Sequence, residues 1–148
     1  MKTAQPRARG KLDPATPEAV DRLCSEWRTG LLAGLAESER FVAELLVREA
    51  LMNAVAHGNG RARSGDGGCG PAGIHYRIRQ VPGGIVIHVN DGGNGFDWRG
   101  WRDGDWQPLA ESGRGLQIFA RYADRVRFFG NGSRVELIRM FRERWRCA

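Results

Sequence analysis

Long apolar runs are missing from this sequence. Charge interrupts every candidate within a few residues, and Met1 is followed by a polar, proline-bearing stretch, so neither a membrane-crossing helix nor a secretion signal is expected. Cysteine is scarce as well. Cys24, Cys69 and Cys147 are odd in number and far apart, which excludes a disulfide framework and the paired spacing of a zinc site, and favours a reducing, cytoplasmic setting. Lysine is nearly absent: of 23 basic residues only Lys2 and Lys11 are lysine, leaving 21 arginines. These arginines are spread through the expected strands and helices instead of being grouped with aromatic residues, so neither direct contact with nucleic acid nor a membrane partner is expected. The net charge of +6 still permits an acidic partner, because a positive field speeds such encounters.

What is present is ordinary globular material. With 148 residues, 41% hydrophobic and 27% charged, one hydrophobic core is the default, and 21 glycines imply several tight turns or ligand-facing loops. Residues 1–14, carrying Pro6, Gly10 and Pro14, read as a flexible tail, 15–141 as one domain and 142–148 as a basic tail.

A first helix is expected from Thr16, which can cap free backbone donors while Pro17 takes the first helical position, running to about Leu35. A second follows Ser38 and reaches His57, with Gly58 as its stop; Glu44 and Arg48 are spaced for an exposed ion pair on it. Residues 59–73 are dominated by glycine and read as a loop. Ile74, Tyr76 and Ile78 alternate with His75, Arg77 and Arg79, then Pro82-Gly83-Gly84 turns the chain into Ile85, Ile87 and Val89, a hairpin. After an irregular stretch at 97–112, Gly115–Ala123 reads as a helix packed through Leu116, Phe119 and Ala120. Two more strands flank Gly130-Asn131-Gly132. This order predicts an α+β fold: a two-layer sandwich in which a mostly antiparallel sheet is covered on one face by helices.

Three features carry chemistry. Glu49, Asn53 and His57 share one arc of the second helix with Val42, Leu45, Leu46 and Ala56; a carboxylate there needs a partner, either an arginine of the fold or a ligand with its metal. Asp91-Gly92-Gly93-Asn94-Gly95-Phe96 follows a strand, where glycines admit a flat ligand and an aspartate can accept from an exocyclic amine, or where the chain simply turns. Gly113-Arg114-Gly115-Leu116 opens a helix, whose free N–H groups and dipole attract phosphate.

In order and spacing, Glu49-x-x-x-Asn53, Asp91-x-Gly93-x-Gly95 and Gly113-x-Gly115 resemble the three nucleotide-binding boxes of the histidine-kinase-like ATPase superfamily. The phrases Glu49–Gly58 and Gly113–Leu116 through Ala123–Val126 look like those of stand-alone bacterial anti-sigma factors that are also serine-protein kinases. The resemblance implies an ATP- and magnesium-dependent kinase regulating transcription. Its partners would be a sigma factor, which it sequesters, and an anti-sigma factor antagonist, whose serine it phosphorylates. Asn53 would hold magnesium, Glu49 would act as general base and Asp91 would read adenine. Gly93, Gly95 and Phe96 would shape the adenine pocket, while Gly113, Arg114, Gly115 and Leu116 would cover the phosphates. An inactive ATP-binding sequestration module of the same fold is the alternative, a basic nucleic-acid-binding domain is a third reading ranked below it, and homodimerisation stays open. The long glycine-rich 59–73 segment, and the absence of an obvious strand before Thr16, depart from the family pattern. Trp98, Trp101 and Trp106 fall in what would be the lid over ATP, where packing on the core, clasping a partner and bracing the lid are all open.

Overall fold

The computed structural model describes residues 4–61, 73–92, 113–130 and 133–141, with the side chains of 57–61 and 113–115 outside that description. The elements run β1 (Arg7–Leu12), α1 (Pro17–Thr29), α2 (Glu37–Arg61), β2 (Ile74–Val81), β3 (Gly84–Asn90), α3 (Gly113–Tyr122), β4 (Arg125–Phe129) and β5 (Arg134–Met140). All pairings are antiparallel, and the sheet order is β1-β2-β3-β5-β4. Helices cover one face, so the α+β two-layer sandwich expected from the element order is the fold observed.

Register decides which side chains meet the helices. One inward row reads Ala8, Ile78, Ile87, Leu137, Val126 across the five strands, and the next reads Gly10, Tyr76, Val89, Val135, Phe128. Ile78, Ile87 and Leu137 are fully buried, and they share one core with Val20, Leu32, Leu46, Leu51 and Phe119 from the helical layer. Gly10 has a steric reason: a Cβ there would meet the Tyr76 hydroxyl at 2.6 Å, and that ring makes an edge contact with Trp27 of α1 at 5.1 Å.

Several sequence expectations are corrected. Residues 7–12, read as part of a flexible tail, form β1, an edge strand held by pairing with β2. Helix α1 begins as expected, with the Ala19 N–H donating to Thr16 Oγ1 at 3.2 Å, but it stops at Thr29, not near Leu35. Gly30 ends it, and the following turns bury Leu32 and Leu35. Helix α2 starts at Glu37, where the Glu39 carboxylate accepts from the Ala36 N–H in the manner of a capping box. It continues through Gly58 to Arg61, because a glycine weakens a helix without ending it where the backbone keeps helical geometry. Among the described glycines positive φ occurs at Gly83, Gly92 and Gly130. Residues 59–61, expected as loop, are therefore helical, while 62–72, the 97–112 stretch with its tryptophans and the 142–148 tail lie outside the described residues.

The expected Glu44–Arg48 pair along α2 is replaced by two cross-helix pairs, Glu44 with Arg28 and Arg48 with Asp21, which fix α1 against α2. Cys24 lies beneath them, free and buried, its thiol pushed up to about 11 chiefly by burial. On the sheet, the Gln80 N–H donates to Pro6 O at 2.9 Å and the Phe141 N–H to Gly83 O at 2.6 Å, so residues 6 and 141 both lie at the β2–β3 turn. Seven arginines, expected to be scattered, share the outward face of the sheet: Arg7 and Arg9 of β1, Arg77 and Arg79 of β2, Arg125 and Arg127 of β4 and Arg134 of β5, whereas Arg139 of β5 falls on the inward side.

Candidate functional site

Helix α2 is the element on which the candidate segments converge, for it contacts α1, α3, β2, β3 and β5. Its core stripe is Ala43, Leu46, Val47, Ala50, Leu51 and Ala54. Glu49 and Asn53 border that stripe on one side and are half-buried, a correction to the expectation that they occupy an apolar face. Arg28 and Asp21 reach Glu44 and Arg48 on the opposite side, which faces α1. Burial raises the Glu49 carboxyl above its ordinary range, only partly offset by Arg48. A half-buried carboxylate with a raised pKa is a better proton acceptor than an exposed one. His57 lies one turn further on, and its side chain is outside the described residues.

Val42 stands two turns before Glu49 on the same side of α2. It shares a surface cavity with Ser38 and Glu39 of α2, with Arg121 at the end of α3 and with Ala123 just beyond it. The C-terminal end of α3 therefore lies beside the first turns of α2, on the side that carries Glu49 and Asn53. The Arg139 Nη1–H donates to Tyr122 O at 3.0 Å, satisfying a carbonyl in the last turn of α3 and tying it to β5.

At the far end of β3, Asp91 follows Ile87 and Val89 in the two-residue alternation and lies on their side of the sheet. It is 8% exposed and is the one buried polar or charged side chain among the described residues. Its N–H donates to Ser133 O at 3.0 Å, and the Gly92 N–H donates to Asn90 Oδ1 at 3.0 Å, with Gly92 at φ 67°. Asn90 and Ser133 thus hold the backbone around Asp91, and neither stands out in the sequence; an asparagine two residues before a glycine is the signal that marks such a turn. Gly93, Gly95 and Phe96 lie outside the described residues.

The third segment opens α3. Gly113 is its first residue, two positions earlier than expected, so Gly113, Arg114 and Gly115 form its first turn, where backbone N–H groups have no partner within the helix. Leu116 and Phe119 are buried in the same core as Ala50 and Ala54 of α2, which anchors that end of α3. Ala120, expected on the packed side, is exposed, and Ile118 is packed against the core instead. Among the described residues no group of three or more His, Cys, Asp or Glu side chains gathers as a metal site, and no helix is long and apolar enough to cross a membrane.

Comparison with curated proteins gives no match. A family model described as the histidine kinase-like ATPase domain matches residues 14–140, from just before α1 to the end of β5. That span takes in the Glu49–Asn53 flank of α2, the Asp91 turn and the opening of α3, and by it this chain belongs to the histidine kinase-like ATPase domain family.

Proposed function

We propose that the chain binds ATP between α2, the end of β3 and the start of α3, and transfers its terminal phosphoryl group to a serine of a partner protein. The observation that carries this reading is the placement of α3. Its C-terminal end sits by Val42, and at about 1.5 Å rise per residue its ten residues span about 15 Å, close to the rise from Val42 to Asn53. If the two helices run antiparallel, the opening of α3 falls beside Asn53 and Glu49. An anion-attracting helix start would then face a carboxylate and an amide oxygen, with buried Asp91 at the end of a strand that α2 also contacts.

When bound, ATP with magnesium supplies the transferable phosphoryl group and neutralises its charge. Asn53 would offer the metal one amide oxygen, with phosphate and water supplying the other ligands, a set of hard oxygens that suits magnesium. Asp91 accepts from the adenine amino group, and Gly93, Gly95 and Phe96 form the pocket around the base. Backbone N–H groups of Gly113 to Leu116 hold phosphate, with Arg114 reaching toward the terminal one. Glu49 takes the proton of the attacking serine hydroxyl as its oxygen bonds to phosphorus and ADP leaves with the electrons of the broken bond. The physiological reading is that of an anti-sigma regulator, cytoplasmic and bacterial. It sequesters a sigma factor and phosphorylates the antagonist that would release it.

Calorimetry with ATP and magnesium tests the first half, with binding expected in the micromolar range and lost on chelation. Radiolabel transfer from γ-labelled ATP to proteins of the native cytosol tests the second. ATP binding without transfer to any of them would leave a sequestration module in place of a kinase.

A further inference from the structure

The outward face of the sheet is read from the same register as the inward one. Its first row is Arg7, Arg79, Val86, Ile138 and Arg125. The second is Arg9, Arg77, His88, Glu136 and Arg127, and the third is Lys11, His75, Asn90, Arg134 and Phe129. Every arginine and lysine in these rows is exposed, and Glu136 is their one carboxylate. It is already engaged, its Oε2 lying 2.5 Å from His88 Nε2. On the helical layer Arg28 and Arg48 are ion-paired, whereas Arg7, Arg9, Arg77, Arg79, Arg125 and Arg127 have no ion pair among the described residues.

Aromatic character is interleaved with this charge. Phe129 is 37% exposed, the Arg134 guanidinium lies 5.7 Å from its ring centre, and the exposed His75 stands in the same row. Arg9, His75, Arg77, Asn90, Phe129 and Arg134 line a shallow depression of about 410 Å³ that crosses the strands. A protein partner would favour a face whose centre is depleted of charge, and an anionic membrane would favour inserted apolar side chains. This face has charge at its centre, Arg77 and Glu136, and a single exposed aromatic at its rim. Arginines on neighbouring strands, Arg7 beside Arg79 and Arg9 beside Arg77 at a strand spacing of about 4.8 Å, with further arginines on β4 and β5 and a ring and imidazoles for stacking, match an unpaired polynucleotide strand.

We propose that the outward sheet face binds single-stranded nucleic acid, with arginines of the first two rows on phosphates and Phe129 and His75 stacking on bases. This surface lies on the side of the sheet away from the helices and Asp91, so it is independent of the nucleotide site.

Fluorescence anisotropy with labelled 20-nucleotide oligo-U and oligo-dT and the full chain tests the proposal, the two probes separating RNA from DNA. Binding is expected at 50 mM salt and falls on the order of 100-fold by 200 mM. Arg77→Glu and Arg127→Glu are each expected to weaken it about 10-fold or more, with Arg77→Gln giving a smaller loss. Arg22→Glu on α1, the same charge change on the helical layer, is expected to stay within about twofold. Phe129→Ala is expected to weaken single strands about 5- to 100-fold while leaving polyphosphate binding unchanged. Thermal melting and ATP titration of each variant, matching the parent, show the fold intact. No binding at 50 mM salt overturns the proposal, as does equal loss in Arg22→Glu, which means net charge alone. Competition by poly-glutamate as strong as by oligo-U also overturns it, in favour of an acidic protein, and an unaffected Phe129→Ala overturns the stacking role.

Discussion

Glu44 of α2 is held by Arg28 of α1, not by Arg48 four residues along its own helix, so an ion pair that helical spacing suggests as local turns out to join two elements. The hydrogen bond from Arg28 lowers the Glu44 carboxyl below its ordinary value of 4.5. A carboxyl depressed in the folded state contributes stability above its unfolded pKa and loses it as pH falls through the folded value. Glu44→Gln is therefore expected to lower the melting temperature at pH 7 and to converge on the parent well below pH 4.5. Because Arg28 is exposed, the difference shrinks in high salt. Parallel melts at pH 7 and pH 3 check both.

Glu49 has the opposite sign. Burial raises its carboxyl, so the charged form opposes folding as pH rises past the ordinary carboxylate range. Glu49→Gln is expected to melt at or above the parent temperature at pH 7 and to bind ATP normally, while phosphoryl transfer falls about 100-fold or more. A variant that melts lower and transfers normally would assign Glu49 to the fold alone.

Asp91 is the test of the base pocket. If its carboxylate accepts from adenine, Asp91→Asn is expected to weaken ATP binding about 10- to 100-fold, the range of a charged hydrogen bond at about 1.5–3 kcal/mol, with little change in far-ultraviolet circular dichroism. Unchanged affinity in a folded variant removes the adenine assignment.

Gly84 tests the sheet. A Cβ there would lie 2.5 Å from Arg139 O and 2.6 Å from Met140 Sδ, and the carbonyl cannot yield without moving β5. Gly84→Ala is expected to cost about 1–3 kcal/mol in urea unfolding, as overpacking does.

Local chemistry made much of this fold readable. The Thr16 cap, the Pro82-Gly83 turn and the alternation of isoleucine with arginine in β2 each act within a few residues, and the α+β sandwich follows from their order. Strand β1 was not readable, since Arg-Ala-Arg-Gly-Lys-Leu holds little apolar surface and becomes a strand only by pairing with β2. For the same reason the arginines look dispersed along the chain: their common face exists only once register sets Arg9 beside Arg77 and Arg127 beside Glu136. At the candidate site, helical spacing marks Glu49, Asn53 and Val42 and the Asn90-Asp91-Gly92 turn can be read locally, but Ser133, whose carbonyl braces Asp91 from just before β5, is recognisable only in three dimensions.

The bonds from Gln80 to Pro6 and from Phe141 to Gly83 bring residues 6 and 141 together at the β2–β3 turn, while Asp91 sits at the other end of β3, about 20 Å away at strand rise. A fluorophore attached at the exposed Pro6 position thus reports from the end of the sheet remote from Asp91.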